Sequence, residues 1–259
     1  MLDVDSAHMS FGGVAALTDV SFSVGAGEVV GVIGPNGSGK STLINVMSGF
    51  YRPTKGTISL GGTVISGRSP EAIRRAGLAR TFQNLRLVAE MTVLDNALAG
   101  TFLGLTDGGP LTPRWIADVL GSPGARRRSA RMREHAEAAL AKVGLGGRLG
   151  LRAGVLSYAD QKRLELARAI ALRPRVLVLD EPTAGMSVED ADEMVRMVTG
   201  LARDGEEPLS LFLVEHRLEL VLEVSDRVVV MDGGRLVADG DPATVAADPH
   251  VRSIYVGGE

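Results

Sequence analysis

The stretch Gly34-Pro35-Asn36-Gly37-Ser38-Gly39-Lys40-Ser41 decides the fold of this chain. It follows a β-branched run at 28–33 and precedes a segment at 40–50 whose apolar residues recur at helical spacing. A glycine-rich loop that joins a strand to a helix and ends in Lys-Ser is the Walker A pattern, which cradles nucleotide phosphates. The alternative is a glycine-rich turn that matches by accident, and the flanking strand and helix patterns argue against it.

The residue types in this loop suit phosphate binding. Glycines let backbone N–H groups curl around a β-phosphate, Lys40 supplies a compact positive charge, and the Ser41 hydroxyl is a ligand for Mg²⁺. The residues predicted to bind the nucleotide here are Gly34, Pro35, Asn36, Gly37, Ser38, Gly39, Lys40, Ser41 and Thr42.

A second motif lies farther along the chain, at the end of the apolar segment 176–179. Asp180 and Glu181 follow this predicted strand directly, and ligands of α/β proteins bind at the carboxyl ends of strands. This is the Walker B pattern. Asp180 is predicted to hold Mg²⁺ through its water shell, and Glu181 to polarise the attacking water as a general base. The structural alternative is a polar strand end that meets solvent.

Alternating strand and helix patterns around the two motifs predict an α/β fold with a parallel sheet. Residues 1–30 instead carry short apolar alternations broken by glycines, which are typical of antiparallel hairpins. Residues 86–155 are rich in helix formers, with a Gly/Pro-rich break at 104–124. The predicted division is a nucleotide-binding core with a β subdomain at 1–85 and 156–259, and a helical subdomain at 86–155.

Composition narrows the class of protein. Of 259 residues, 45% are hydrophobic and 23% charged, as in soluble globular proteins, and no apolar run approaches the roughly 18 residues that span a bilayer. Zero cysteines exclude disulfides and thiolate metal sites. A net charge of -3 gives the chain no overall positive charge that would attract nucleic acid. The N-terminus shows no secretory signal, so a cytosolic location is expected.

The basic run 126–133 is interpreted as a solvated helix face, with binding to membrane headgroups as the alternative.

Lys40 and Asp180 are 140 residues apart, with the helical segment between them. Small GTPases and simple kinases do not show this arrangement, which resembles the nucleotide-binding domain of ABC (ATP-binding cassette) proteins. The resemblance covers essentially the whole chain. It implies an α/β fold, with a P-loop NTPase (RecA-like) core, an antiparallel β subdomain and an inserted α-helical subdomain. It also implies ATP and Mg²⁺ as cofactors.

Three further residues match motifs of that family, and the resemblance implies their roles. Phe11 stands where an aromatic side chain stacks on adenine; a core phenylalanine of a strand is the alternative. Gln83, within Arg80-Thr81-Phe82-Gln83-Asn84, matches the Q-loop, whose glutamine reaches Mg²⁺ and the attacking water. His216 matches the switch histidine, which hydrogen-bonds the γ-phosphate and the catalytic glutamate. The implied catalytic residues are Glu181, His216 and Gln83, and the implied metal ligands are Ser41, Gln83 and Asp180.

The family's LSGGQ signature appears in altered form as Leu156-Ser157-Tyr158-Ala159-Asp160-Gln161. By resemblance, Ser157, Ala159 and Asp160 lie at a helix N-terminus and clamp the γ-phosphate held by the opposite subunit. Tyr158 and Ala159 replace the two glycines, and Asp160 replaces the usual glutamine. If position 159 requires a positive φ, its alanine is strained. Ser187 also departs from the family, in which aspartate is commonest at that position.

Several stretches are similar to one branch of the family, the ATP-binding subunits of branched-chain amino acid importers. They are Phe11-Gly12-Gly13, 81–84 with Met91-Thr92-Val93, the signature segment 158–169, Glu215-His216 and 254–257. The branch implies ATP-driven import of a branched-chain amino acid or a related small solute. The implied partners are a second ATP-binding subunit in a homo- or heterodimer, transmembrane permease subunits and, indirectly, a solute-binding protein, with no nucleic acid. The implied location is the cytoplasmic face of a bacterial membrane, as a peripheral protein.

Two other functions compete with transport. A soluble ABC ATPase of DNA repair, ribosomes or cofactor assembly is disfavoured, because the chain has one cassette and no extended basic surface. A regulatory cassette that dimerises on ATP without driving transport is disfavoured by the intact Glu181 and His216. Ala159 and Ser187 favour that regulatory alternative, and measured turnover separates it from an ATPase.

Overall fold

A computed structural model describes residues 1–81, 85–105, 123–203 and 209–256. The chain divides into two compact units, one made of Met1–Gln83 with Arg175–Glu259 and the other of Asn84–Pro174. The division predicted from the sequence ended the helical segment at residue 155, whereas the second compact unit continues to Pro174.

Strands and most helices belong to the first unit. The strands are β1 (Leu2–Phe11), β2 (Val14–Val24), β3 (Val29–Ile33), β4 (Lys55–Leu60), β5 (Thr63–Val64), β6 (Leu78–Arg80), β7 (Val176–Asp180), β8 (Ser210–Val214), β9 (Arg227–Asp232) and β10 (Arg235–Gly240). The helices of this unit are α1 (Lys40–Met47), α2 (Pro70–Arg75), α6 (Val188–Arg203), α7 (Leu218–Val224), α8 (Pro242–Ala247) and α9 (Pro249–Val256). The second unit contributes α3 (Val93–Leu105), α4 (Pro123–Lys142) and α5 (Tyr158–Ile170), with 3-10 turns at Gly146–Arg148 and Ala153–Val155.

The larger sheet of the first unit has the strand order β10-β9-β3-β8-β7-β6. Its strands run parallel except β10, which pairs antiparallel with β9 at the edge. Every residue of β3, β7 and β8 is buried, because parallel strands covered on both faces need continuous apolar sequence. The predicted α/β fold with a parallel sheet is confirmed. The carboxyl ends of these three strands lie at one edge of the sheet and position the candidate site.

A second, antiparallel sheet has the order β2-β1-β4-β5. It confirms the hairpin pattern of the first 30 residues. Gly12 and Gly13 form the turn from β1 to β2 with φ of 53° and 92°, which glycine adopts without steric cost. Phe22 of β2 stacks on Phe212 of β8, with ring centroids 5.4 Å apart. The two sheets therefore share one hydrophobic core.

In the second unit α3, α4 and α5 pack against one another, which explains why the residues of α5 group with this unit. One face of α4 is apolar, since Ala136, Ala139 and Leu140 are buried and Met132 is half-buried, and Val143 just after the helix is also buried. Most arginines of the run 126–133 are exposed, and Arg133 pairs with Glu137 at 2.7 Å. Residues 106–122, most of the predicted Gly/Pro-rich break, lie outside the described residues. Of the helices that the structure describes, none combines the length and apolar character that a bilayer span requires.

Candidate active site

The loop 34–39 leaves β3 and presents Lys40 to main-chain oxygens at the start of α1. The Lys40 ammonium donates to the carbonyls of Gly34 at 2.6 Å and Pro35 at 2.9 Å, and lies 3.4 Å from Ser38 Oγ. Only 6% of Lys40 is exposed. The positive charge is therefore held at a fixed point above the loop, as a phosphate-binding lysine requires.

Close packing explains the glycines at both ends of the loop, Gly34 and Gly39. A Cβ at Gly34 would lie 2.2 Å from Met231 O, and a Cβ at Gly39, whose φ is 104°, would lie 2.9 Å from Ala16 O. Side chains are thus excluded where the loop touches β9 and β2. Among the other predicted phosphate-binding residues, Ser38 is buried, Pro35 and Thr42 are half-buried, and Asn36, Gly37 and Ser41 are exposed.

Both Walker B carboxylates act on the charge of Lys40. Burial lowers the pKa of the Lys40 ammonium from its ordinary value, while the negative charges of Glu181 and, to a smaller extent, Asp180 act in the opposite direction. The end of β3 and the end of β7 therefore bring together the three charged residues that the two sequence motifs predict for the site.

Asp180, the last residue of β7, forms an ion pair that the sequence did not predict. Its Oδ2 lies 2.8 Å from Arg80 Nη2, and each side chain is 10% exposed. Arg80 also donates to Asn45 Oδ1 of α1 at 2.7 Å. The predicted metal ligand is thus tied to the phosphate-loop helix through one arginine.

Glu181 has a strained backbone and a direct contact with His216. Its φ is 48°, a left-handed conformation that is uncommon for a non-glycine residue, and its N–H donates to Val214 O of β8 at 2.9 Å. Glu181 Oε1 lies 2.6 Å from His216 Nε2. Strain of this kind concentrates at functional sites, and here the strained residue is the predicted general base, whose carboxylate contacts the predicted switch histidine.

Glu215 holds together the turns that follow β7 and β8. It is 4% exposed, and its Oε1 accepts from the N–H of Thr183 at 3.0 Å and from the Thr183 hydroxyl at 2.7 Å. Its Oε2 accepts from the His216 N–H at 3.3 Å. Sequence reasoning assigned Glu215 no role of its own, although its position beside His216 was an available signal.

The altered signature forms the start of α5 in the second unit. The Ser157 side chain caps the helix by accepting from the Asp160 N–H at 3.2 Å, and the Ser157 hydroxyl lies 2.9 Å from Asp160 Oδ2. Arg148 pairs with the Asp160 carboxylate and offsets its charge. Ala159 lies inside the helix and does not have a positive φ. The strain considered for Ala159 is therefore absent.

Ser187 has a comparable local role at the start of α6. Its side chain accepts from the Asp190 N–H at 3.1 Å and lies 2.9 Å from Asp190 Oδ2. The first contact satisfies one backbone donor of the first helical turn, as an N-cap side chain does. The serine that departs from the family pattern is thus a helix cap in this structure.

The remaining predicted residues have less structural context. Phe11 is 42% exposed at the end of β1, and its ring meets the edge of the Tyr51 ring with centroids 5.1 Å apart. This exposure disfavours the core-residue alternative, and adenine stacking stays a prediction. Gln83 lies outside the described residues.

The chain is similar over its length to known ATP-binding cassettes. A sequence model described as ABC transporter matches residues 17–184. The chain is 38% identical to the high-affinity branched-chain amino acid transport ATP-binding protein BraF of Pseudomonas aeruginosa, over 99% of this chain and 98% of that protein. It is 35% identical to the corresponding protein LivG of Escherichia coli K12, over the same shares.

The fold of this chain is also similar to solved structures of ATP-binding cassettes. A nucleotide-free ATP-binding cassette from an ABC transporter is 33% identical with a TM-score of 0.81, over 100% of this chain and 99% of that one. A cassette solved in its ADP conformation is 32% identical with a TM-score of 0.81, over the same shares.

Proposed function

The chain belongs to the ABC transporter family and is an ABC-type ATPase, and from this premise we propose that it powers an importer. The proposed solute is a branched-chain amino acid or a related small molecule, which passes through a separate membrane permease. The support for this solute class is the likeness to BraF and LivG over nearly the whole chain, because their names assign both to branched-chain amino acid transport.

One observation carries the proposed active site. The negative charges of Glu181 and Asp180 act on the buried ammonium of Lys40, and Glu181 reaches His216 at 2.6 Å. Transfer of a γ-phosphoryl group to water needs a positive charge at the phosphates, a base for the water and fixed geometry. The cluster offers each of these at the phosphate-binding loop.

The proposed roles follow from the positions of these side chains. Lys40 binds the β- and γ-phosphates, Glu181 accepts the proton of the attacking water, and His216 orients the Glu181 carboxylate and donates to the γ-phosphate. Phe11 stacks on the adenine. The strained backbone of Glu181 and the hydrogen bonds of the buried Glu215 fix the relative positions of the turns that follow β7 and β8.

The residues present also fit Mg²⁺. Asp180 and Ser41 offer a carboxylate and a hydroxyl oxygen, the hard ligands that this ion prefers, and sites of this class complete the coordination with phosphates and water. Gln83 is the third proposed ligand. When bound, the ion neutralises charge that develops on the phosphates.

The proposed assembly needs further subunits. A second ATP-binding subunit, identical or related, presents its own Ser157, Ala159 and Asp160 positions to the γ-phosphate, because these residues form a helix N-terminus suited to anions. Permease subunits receive the conformational change, and a solute-binding protein delivers the solute. In that assembly the chain is a peripheral subunit at the cytoplasmic face of the membrane.

The substitution Glu181→Gln tests the proposal, since it removes the base and keeps the size of the side chain. We expect retained ATP binding, a loss of hydrolysis of about 100-fold or more, and a dimer that survives gel filtration with ATP and Mg²⁺. Glu223→Gln, an exposed position on α7, is the matched control and should behave as the unsubstituted chain. A Glu181→Gln protein that hydrolyses ATP at the normal rate removes Glu181 as the base.

A further inference from the structure

Arg80 joins two elements of the proposed magnesium site. Its Nη2 contacts Asp180 Oδ2 of β7 at 2.8 Å, and its Nη1 donates to Asn45 Oδ1 of α1 at 2.7 Å. The guanidinium carbon lies 5.7 Å from the centre of the Phe50 ring. The planar group is therefore held by a carboxylate, an amide and an aromatic ring at once.

The backbone explains why these groups meet. Arg80 of β6 pairs in register with Val178 of β7, and Asp180 is two residues beyond Val178, so both charged side chains lie on the same face of the sheet. Asn45 is four residues beyond Ser41 in α1, so these two share one helix face. Arg80 thus connects the strand that ends in one proposed metal ligand with the helix that carries the other.

Stability alone gives little reason for this arrangement. The ion pair is buried, with each side chain 10% exposed, and the cost of removing two charges from water offsets most of their attraction. The geometry has a different consequence. One oxygen of Asp180 is committed to Arg80, which fixes the rotation of the carboxylate, and Asn45 fixes α1 against the same guanidinium.

We propose that Arg80 is a positioning residue of the magnesium site. Its two donors set the orientation of Asp180 and, through Asn45, the separation between Asp180 and Ser41 that the ion requires. The inference rests on the proposed function, because it takes Asp180 and Ser41 as metal ligands. The role needs the planar fork of arginine, since the single ammonium of lysine carries the same charge but cannot reach both partners in fixed geometry.

The test compares the full-length protein with its Arg80→Lys, Arg80→Gln and Asn45→Ala variants. Binding of the fluorescent nucleotide MANT-ADP is titrated first with EDTA and then at increasing Mg²⁺. Loss of a partner that orients a metal ligand typically costs 10–100-fold in metal affinity. We therefore expect both Arg80 variants to need about tenfold more Mg²⁺ for half-maximal effect, while affinity without metal stays within about twofold. Asn45→Ala, which keeps the charge, should shift the Mg²⁺ requirement in the same direction by less.

Arg68→Lys is the matched control, because Arg68 is exposed and is none of the three contacts described above for the Arg80 guanidinium, and its Mg²⁺ requirement should not change. Thermal unfolding of each variant verifies that it is folded. If an Arg80 variant does not fold, the Mg²⁺ requirement of Asn45→Ala still tests the inference. A folded Arg80→Lys protein with the normal Mg²⁺ requirement overturns the inference about Arg80 and leaves the proposed function in place. An unsubstituted protein whose MANT-ADP binding ignores Mg²⁺ overturns the proposed metal site, and the inference with it.

Discussion

At the scale of single residues, Glu215 connects the turns that carry Glu181 and His216 through hydrogen bonds. Its carboxylate is buried and accepts from the Thr183 N–H, the Thr183 hydroxyl and the His216 N–H. Buried polar networks of this kind are stiff when every member is satisfied. The position of His216 relative to Glu181 therefore depends on a residue that is itself too buried to meet substrate.

Glu215→Ala removes the acceptor of the two Thr183 donors. Because a buried donor without a partner costs about 1–3 kcal/mol, we expect the free energy of unfolding to fall by about that amount, and kcat to fall with nucleotide affinity unchanged. Urea unfolding and steady-state ATP hydrolysis measure the two effects. Glu215→Gln keeps one acceptor oxygen and should lose less. A Glu215→Ala protein of unchanged stability and kcat contradicts this account.

Sequence reasoning at this scale found residues that belong to local motifs. Lys40, Asp180, Glu181 and His216 each stand in or beside a recognisable pattern, and the structure brings them to one sheet edge. Arg80 was missed as a contributor because its partner Asp180 is 100 positions away. The pairing of Glu215 with Thr183, 32 positions apart, was hidden for the same reason.

At the scale of elements, the start of α5 combines a structural and a proposed catalytic role in Ser157. Ser69 caps α2 in the same way, since its side chain accepts from the Ala72 N–H at 3.3 Å. The two serines therefore form a matched pair. One lies in the proposed phosphate clamp, and the other lies in a helix with no assigned function.

Ser157→Ala and Ser69→Ala should each lower the free energy of unfolding by about 1 kcal/mol, the usual cost of a lost N-cap. We expect only Ser157→Ala to reduce ATP hydrolysis as well, because only Ser157 is proposed to meet the γ-phosphate. Thermal unfolding and hydrolysis assays of both variants measure this. Equal hydrolysis by the two variants would remove Ser157 from the proposed clamp.

Elements with a strong apolar pattern were predictable, and the two edge strands of the larger sheet, β6 and β10, were not. β6 has three residues and β10 is a half-exposed edge strand, so neither shows a clear period. α8 and α9 were also missed, although Asp241-Pro242 and Asp248-Pro249 carry cap and first-turn signals. The strain considered for Ala159 came from the glycines of the family motif, whereas the residue lies in regular helix.

At the scale of the whole molecule, the parallel strand order explains how motifs far apart in the chain form one site. β3, β8 and β7 are neighbours in the sheet, so the phosphate loop, His216 and the two Walker B acids follow adjacent strand ends. The alternation of strands and helices made this fold predictable. The extent of the second compact unit was not, because it depends on packing of α5 against α3 and α4.

The central claim is that this chain hydrolyses ATP at a site completed by a second ATP-binding subunit. The most direct test measures Mg²⁺-dependent ATP hydrolysis by the purified chain over a wide range of protein concentration, beside Glu181→Gln. We predict a rate that rises faster than linearly with concentration and disappears in the variant, because two chains must meet to complete the site. A rate strictly proportional to protein concentration down to the most dilute sample would contradict the claim, since a single chain would then be sufficient.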